Sequence, residues 1–147
     1  MEIAVLACGC FWGPEIKFSK LEGIYRTEVG YCGGNSSKTS YEEVCTGTTN
    51  HAEVVKLEFD PNKISYEKIL EFFFQIHDPT TLNSQGPDFG TQYRSEIFYL
   101  NDNQKNIAEK ITKKINEKLS GKVVTKISLL KNYCIAEEYH QKYLDKN

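Results

Sequence analysis

The sequence predicts a two-layer sandwich of the α/β or α+β class, and three features predict it. Short apolar or alternating runs interleave with segments of helical period along the chain. Internal repeats and low-complexity tracts are missing from it. Its 147 residues suit a single domain, residues 1–147, large enough to bury most of its apolar surface in one core.

Residues 3–7, Ile-Ala-Val-Leu-Ala, form the first expected strand, apolar throughout and therefore buried on both faces. A helix is expected over 11–20, with Phe11, Trp12, Ile16 and Phe18 apolar and Pro14 tolerable only in a first turn. Residues 24–30 make a second strand that ends in the turn-rich 33–37, and 41–45 a short helix before Gly47. Residues 51–60 alternate as a third strand. Ser65 starts a helix whose buried face is Ile64, Ile69, Leu70, Phe73 and Ile76, and which stops at His77-Asp78-Pro79. The stretch 79–95, rich in Gly, Pro, Thr, Asn and Gln, is too long for a simple connector and is a candidate functional loop. A fourth strand (96–100), an amphipathic helix (102–119), a fifth strand (123–130) and a terminal helix (136–144) complete the series.

Charge and cysteine usage narrow the function. A net charge of −2 with no block of like charges argues against a nucleic-acid or anionic-membrane partner. The Lys-rich stretch 105–122 is broken by Ile and Glu at helical spacing and is a solvated helix face. No apolar run approaches the ~20 residues of a membrane span, and Met1-Glu2 is no basic leader, so the expected location is cytoplasmic. Five cysteines without disulfide-scaffold spacing point to at least one free thiol. No C-x-x-C pair is present, so a zinc site is not expected.

The segment Cys8-Gly9-Cys10-Phe11-Trp12-Gly13 carries the chemistry. A thiol acts as a nucleophile only as the thiolate, and the positive end of a helix favours that form. Cys10 falls at such a strand-to-helix junction, with Phe11 and Trp12 as an apolar wall and flanking glycines that allow a tight turn. The same letters also suit a buried structural cysteine among core aromatics. By pattern alone Glu53 is a solvent-facing strand residue, Asp88 a turn residue, and Tyr41 and Tyr93 two of nine tyrosines. His77 is expected to cap its helix, and His51 and His140 carry no signal.

The string Gly9-Cys10-Phe11-Trp12-Gly13 closely resembles the signature of the A-class peptide-methionine sulfoxide reductases. The resemblance continues, in order, through Gly30-Tyr31-Cys32-Gly33-Gly34, Tyr41-Glu42-Glu43-Val44-Cys45-Thr46-Gly47, His51-Ala52-Glu53-Val54, His77-Asp78-Pro79 and Asp88-Phe89-Gly90-Thr91-Gln92-Tyr93-Arg94-Ser95. It implies an α+β two-layer sandwich with a mainly antiparallel mixed sheet, a ferredoxin-like α/β plait with flanking helices. It also implies Cys10 as nucleophile, Phe11 and Trp12 as the pocket for the sulfoxide methyl group, and Tyr41, Glu53 and Tyr93 around its oxygen, with Asp88 at the same site. A carboxyl kept protonated by an apolar pocket can donate to that oxygen, and Glu53 is the candidate. The implied reaction reduces the S epimer of methionine sulfoxide, leaves Cys10 as a sulfenic acid and uses no flavin, nicotinamide or metal cofactor.

Many family members regenerate the nucleophile with a resolving cysteine in a C-terminal tail, and no cysteine follows Cys134 here. The expected reductant is therefore an external thiol such as glutathione, or a glutaredoxin, with thioredoxin a poor partner. Family members without the tail cysteine include some with selenocysteine at the nucleophile, which leaves open a natural selenol in place of Cys10. Cys45 and Cys134 are expected to be buried, Cys32 more exposed, and Cys8 the end of a buried strand too close to Cys10 for an unstrained disulfide. Two other classes remain: a cysteine hydrolase, since Cys8-Gly9-Cys10-Phe11-Trp12 superficially matches C-G-[SA]-C-[WY], and a binding module that needs no reactive thiol.

Overall fold

The computed structural model describes every residue except Ser37, Thr48 and Asn147, and Asp145 by its backbone alone. Ser37, the last residue of the expected 33–37 turn, thus lies outside the described residues. The strands are β1 (Glu2–Cys8), β2 (Ile24–Cys32), β3 (Ala52–Phe59), β4 (Ser84–Gln85), β5 (Asp88–Phe89), β6 (Ser95–Tyr99), β7 (Lys126–Leu129) and β8 (Cys134–Ile135). The helices are α1 (Trp12–Ser19), α2 (Tyr41–Cys45), α3 (Tyr66–Gln75), α4 (Asp102–Lys118) and α5 (Tyr143–Lys146). Six strands form one sheet in the order β7-β6-β1-β3-β2-β8, and β4 and β5 form a separate two-stranded hairpin. Every pairing in the large sheet is antiparallel except β6 with β7, which the α4 crossover makes parallel. The inner order β6-β1-β3-β2 is that of the ferredoxin-like α/β plait, as expected.

Alternation along β1 explains the layers. Ala4, Leu6 and Cys8 point into the helical side, where Phe18, Ile69, Leu70, Phe73, Ala108 and Ile111 close the main core. Val5 and Ala7 point to the other face, with Cys32, Ala52, Val54 and Phe98 under a cover of Leu100, Leu130 and Tyr133. Side-chain caps set the helix starts: Ser65 accepts from the Lys68 N–H and Asn101 from the Gln104 N–H, each stabilising by about 1 kcal/mol. His77 ends α3 as expected, with Nδ1 2.6 Å from the Phe73 carbonyl and Nε2 2.7 Å from Ser95 Oγ.

Three expectations are corrected. The 79–95 stretch is not plain loop: it holds β4, β5 and a 3-10 turn at Thr91–Tyr93. No terminal helix runs over 136–144. Strand β8 is followed by a 3-10 turn, Glu138–His140, and then α5, because polar side chains take over the backbone groups that a helix would have paired. Gln141 Nε2 donates to the Ala136 carbonyl (3.0 Å), which a helix would have paired, and the same side chain is held on β2, its Oε1 accepting from the Val29 N–H (2.9 Å) and its Nε2 donating to the Val29 carbonyl (2.9 Å). Beside it, Lys142 N–H donates to Glu15 Oε1 at 2.6 Å.

The cysteines are the third. Cys32 is fully buried because β2 runs on past Gly30, whereas Cys45 is exposed, since the single turn of α2 packs through Val44. Cys134 is half-buried on edge strand β8.

Where β8 meets β2, a side chain on Gly30 would place its Cβ 2.7 Å from the Cys134 carbonyl and 2.8 Å from the Tyr133 ring. Gly30→Ala is expected to lose about 1–3 kcal/mol in urea unfolding as that edge is forced away. An unchanged midpoint would contradict this packing.

Candidate active site

The sheet register brings the site together at one end. Cys8 pairs with Ser95 at the start of β6, and Tyr31 at the end of β2 pairs with Glu53 at the start of β3. Cys10 leaves β1 there and Phe11 caps α1, so the thiol lies at the junction the sequence predicts. Gly9 adopts φ +95°, and a Cβ on it would lie 2.9 Å from Gln85 of the β4–β5 hairpin, which carries Asp88. Gly9→Ala is expected to displace the hairpin and cut activity about tenfold or more while the fold persists. Activity within twofold of wild type would show that the hairpin need not sit so close.

Glu53 is buried at 1% exposure, not solvent-facing as its strand pattern alone suggests. Its Oε1 accepts the Phe11 N–H at 3.2 Å, and its Oε2 has no hydrogen-bond partner among the described residues. Burial pushes this carboxyl up to about 8, the Phe11 bond opposing the rise and the charge of Asp88 adding to it.

Cys10 is half-buried, and desolvation pushes its thiol up to about 11. The Trp12 backbone N–H acts in the direction expected of a helix start, but burial outweighs it, and Glu53 and Asp88 add to the rise. The resting residue is therefore a thiol at neutral pH. That corrects the simple expectation of a thiolate stabilised by the helix.

Tyr41 and Tyr93 face each other closely enough for their hydroxyls to interact. Burial raises both phenols, Tyr93 to about 12, so both are neutral donors at physiological pH. Asp88 is half-buried and within electrostatic reach of Cys10, Glu53 and Tyr93. Phe11 is 1% exposed and packs against Tyr31, while Trp12 is half-buried with Tyr143 stacked on it at 3.9 Å between ring centroids and 12° between planes. All seven residues singled out in the sequence thus gather at this end of the sheet.

Four neighbours escaped the sequence reading. His140 is buried and accepts the Trp12 indole N–H on Nδ1 at 3.0 Å. Glu137 accepts from Tyr31 Oη at 2.8 Å and from the Tyr41 N–H at 2.9 Å, which fixes the start of α2. Tyr143 covers Trp12. The fourth is Cys45, whose thiol interacts with the Tyr41 hydroxyl and lies within electrostatic reach of Cys10. Cys45 had a legible signal in its i, i+4 spacing from Tyr41 on one helix face; Glu137, His140 and Tyr143 come from a segment about a hundred residues away in sequence.

Fold and site together define a cysteine-centred α+β protein on a ferredoxin-like plait. A family profile described as peptide methionine sulfoxide reductase matches residues 2–147, and the chain belongs to that family. A peptide methionine sulfoxide reductase MsrA from Pelagibacter ubique is 79% identical over 146 residues, covering 99% of each protein. The crystal structure of Mxr1 from Saccharomyces cerevisiae in reduced form superposes with a TM-score of 0.94 at 46% identity, over 99% of this chain and 85% of that one. Mxr1 in complex with Trx2 matches at a TM-score of 0.68 and 30% identity, over 97% and 84%.

Proposed function

We propose that this chain is a peptide-methionine (S)-S-oxide reductase, which returns free and protein-bound methionine sulfoxide to methionine through Cys10 and so repairs oxidised proteins. Phe11 and Trp12 receive the methyl group. Glu53, Tyr41 and Tyr93 surround the oxygen, and Asp88 borders the same site. Family membership supports the reaction, and one observation carries the assignment of its acid: a buried carboxyl, neutral at pH 7, with a free oxygen beside the thiol.

Electrostatics couples the two groups. An ionised Glu53 opposes an ionised Cys10, so the thiolate forms beside the neutral acid rather than beside a second anion. The thiolate attacks the sulfoxide sulfur as Glu53 donates its proton to the oxygen. The hydroxyl then passes from the substrate sulfur to Cys10 Sγ as the original sulfur–oxygen bond and the sulfur–sulfur bond made by the attack both break, so methionine leaves with two electrons more and Cys10 is left as the sulfenic acid. The proton lost when the thiolate forms goes to solvent, the proton from Glu53 ends on the sulfenic oxygen, and the Glu53 carboxylate then regains a proton from solvent.

The electrons that restore Cys10 come from a thiol. Two thiols reduce the sulfenic acid through a mixed disulfide, releasing water and leaving a disulfide. The solved complex of Mxr1 with Trx2 supports a thiol donor in general. For this chain glutathione or a glutaredoxin is proposed, since Cys8 and Cys32 are buried and Cys134 lies on the edge strand. Five free thiols suit the reducing cytoplasm. After one turnover without reductant, added glutathione is expected to appear in mass spectra as an adduct on Cys10. A disulfide between Cys10 and Cys45 formed beforehand would contradict direct reduction.

The activity itself is tested with dabsylated methionine sulfoxide epimers and dithiothreitol. The S epimer is expected to be consumed and the R epimer to persist. Equal consumption of both, or of neither, would overturn the assignment, and cleavage of a peptide amide would mark a hydrolase.

A further inference from the structure

We propose that Gln85 is the positioning residue for Asp88, its side-chain amide clamping the β4–β5 hairpin to the backbone of Asp78 just past α3 and so fixing where that carboxyl stands beside Cys10. The inference rests on the reductase reading and gives a part to the His77-Asp78-Pro79 segment, which the mechanism does not use.

The hairpin cannot place Asp88 by itself. Strands β4 and β5 have two residues each and do not pair with the large sheet, and so short a hairpin is marginal in water on its own. Within it, Gln85 is the cross-strand partner of Asp88. The Gln85 side chain leaves the hairpin and meets Asp78, where Oε1 accepts the backbone N–H at 2.9 Å and Nε2 donates to the carbonyl at 2.5 Å. Nε2 also donates to Thr81 Oγ1 at 3.2 Å. A backbone N–H only donates and a carbonyl only accepts, so the orientation of the amide is fixed, and both of its hydrogens are spent on residues 78–81.

The anchor is itself tied down. Asp78 Oδ1 accepts from the Thr80 N–H at 2.9 Å and from Thr80 Oγ1 at 2.5 Å. Beside it, His77 joins α3 to β6 through the Phe73 carbonyl and Ser95 Oγ, and Ser95 Oγ lies 2.7 Å from Thr125 Oγ1. Ser95 in turn pairs with Cys8 of β1, two residues before the nucleophile. On the other side of the clamp, Cβ and Cγ of Gln85 pass over Gly9, each 2.9 Å from where a Cβ would stand. Tyr93 has separate ties, its N–H to the Gly90 carbonyl at 3.0 Å and Arg94 Nη1 to the Thr91 carbonyl at 2.9 Å. The clamp therefore acts on Asp88.

The test is a double-mutant cycle with methionine S-sulfoxide as substrate and dithiothreitol as reductant, joined to a pH profile. Gln85→Met keeps an aliphatic stem over Gly9 and removes all three amide contacts. It is expected to lower kcat/KM about tenfold in the wild-type background and by less than about twofold beside Asp88→Ala, where no carboxyl is left to place. Glu53 lies within electrostatic reach of Cys10, Tyr31, Tyr41, Cys45, Tyr93 and Asp88, and of these only Asp88 rides on the hairpin. The charge of Asp88 raises the Glu53 carboxyl, so in Gln85→Met the rate is expected to stop climbing at a lower pH than in wild type.

An equal loss in both backgrounds, an unmoved pH profile or an undiminished kcat/KM in Gln85→Met would each overturn the positioning role. Should Gln85→Met fail to fold, hydrogen exchange in the wild-type protein decides. The Asp78 N–H is then expected to exchange at least about a hundredfold more slowly than an open peptide, and free exchange would overturn the clamp. A wild type that reduces no methionine sulfoxide would instead defeat the reductase reading, and this inference with it.

Discussion

Replacing Cys10 by serine is expected to leave the protein folded and lower kcat by about 10⁴-fold or more, because a hydroxyl neither ionises at this site nor attacks a sulfoxide sulfur. The fold does not depend on the sulfur. Cys10 is a free thiol in the bend between β1 and α1, and the local conformation is set by Gly9, by the Phe11 bond to Glu53 and by the packing of Phe11 on Tyr31. Matching thermal unfolding of the two proteins, with methionine produced only by wild type, is the expected pair of results. Turnover by Cys10→Ser above about 1% of wild type would move the nucleophile elsewhere.

Glu53→Gln is expected to lower the rate of methionine release in a single turnover by about 10²- to 10⁴-fold, the usual range for a positioned acid. Its pH profile separates this role from a merely structural one. The wild-type rate should climb with ionisation of Cys10 only until about pH 8, where Glu53 loses its proton and the gain stops, and the amide variant should go on climbing past that point.

Stability follows the same titration with a definite sign. The folded carboxyl holds its proton to about 8 and the unfolded one to about 4.5, so the folded state binds more protons between those values. Wild-type stability from this group therefore falls as pH rises across that window. Glu53→Gln should gain on wild type by on the order of a few kcal/mol between pH 5 and pH 9 in urea unfolding. A constant difference between the two proteins would mean that the carboxyl is not held neutral.

The inner plait was legible because its elements announce themselves locally. The apolar run of β1 ends at Cys8, the cap at Ser65 starts α3, and the periodic face of α4 begins at Asp102. The C-terminal segment was not legible. Its apparent helical period over 136–144 loses to contacts formed only after folding, in which Gln141 pairs with the edge of β2 and Glu137 with Tyr31 and Tyr41. The order of β7 and β8 at opposite edges was equally out of reach, since no local signal fixes a partner strand.

At the site, residue types were readable from the motif and protonation states were not. Helix position argued for a charged Cys10, whereas the depth of the pocket, a property of the assembled sheet, keeps the resting thiol neutral. His140 shows the same limit, as an isolated histidine in sequence that becomes the partner of the only tryptophan in space.

Reduction of the sulfoxide leaves Cys10 as a sulfenic acid under the proposed mechanism. Single turnover with excess methionine S-sulfoxide and dimedone, without reductant, tests it most directly. One equivalent of methionine per chain and dimedone bound at Cys10 are expected. Methionine released with Cys10 unmodified, or dimedone bound at Cys45 instead, would contradict it.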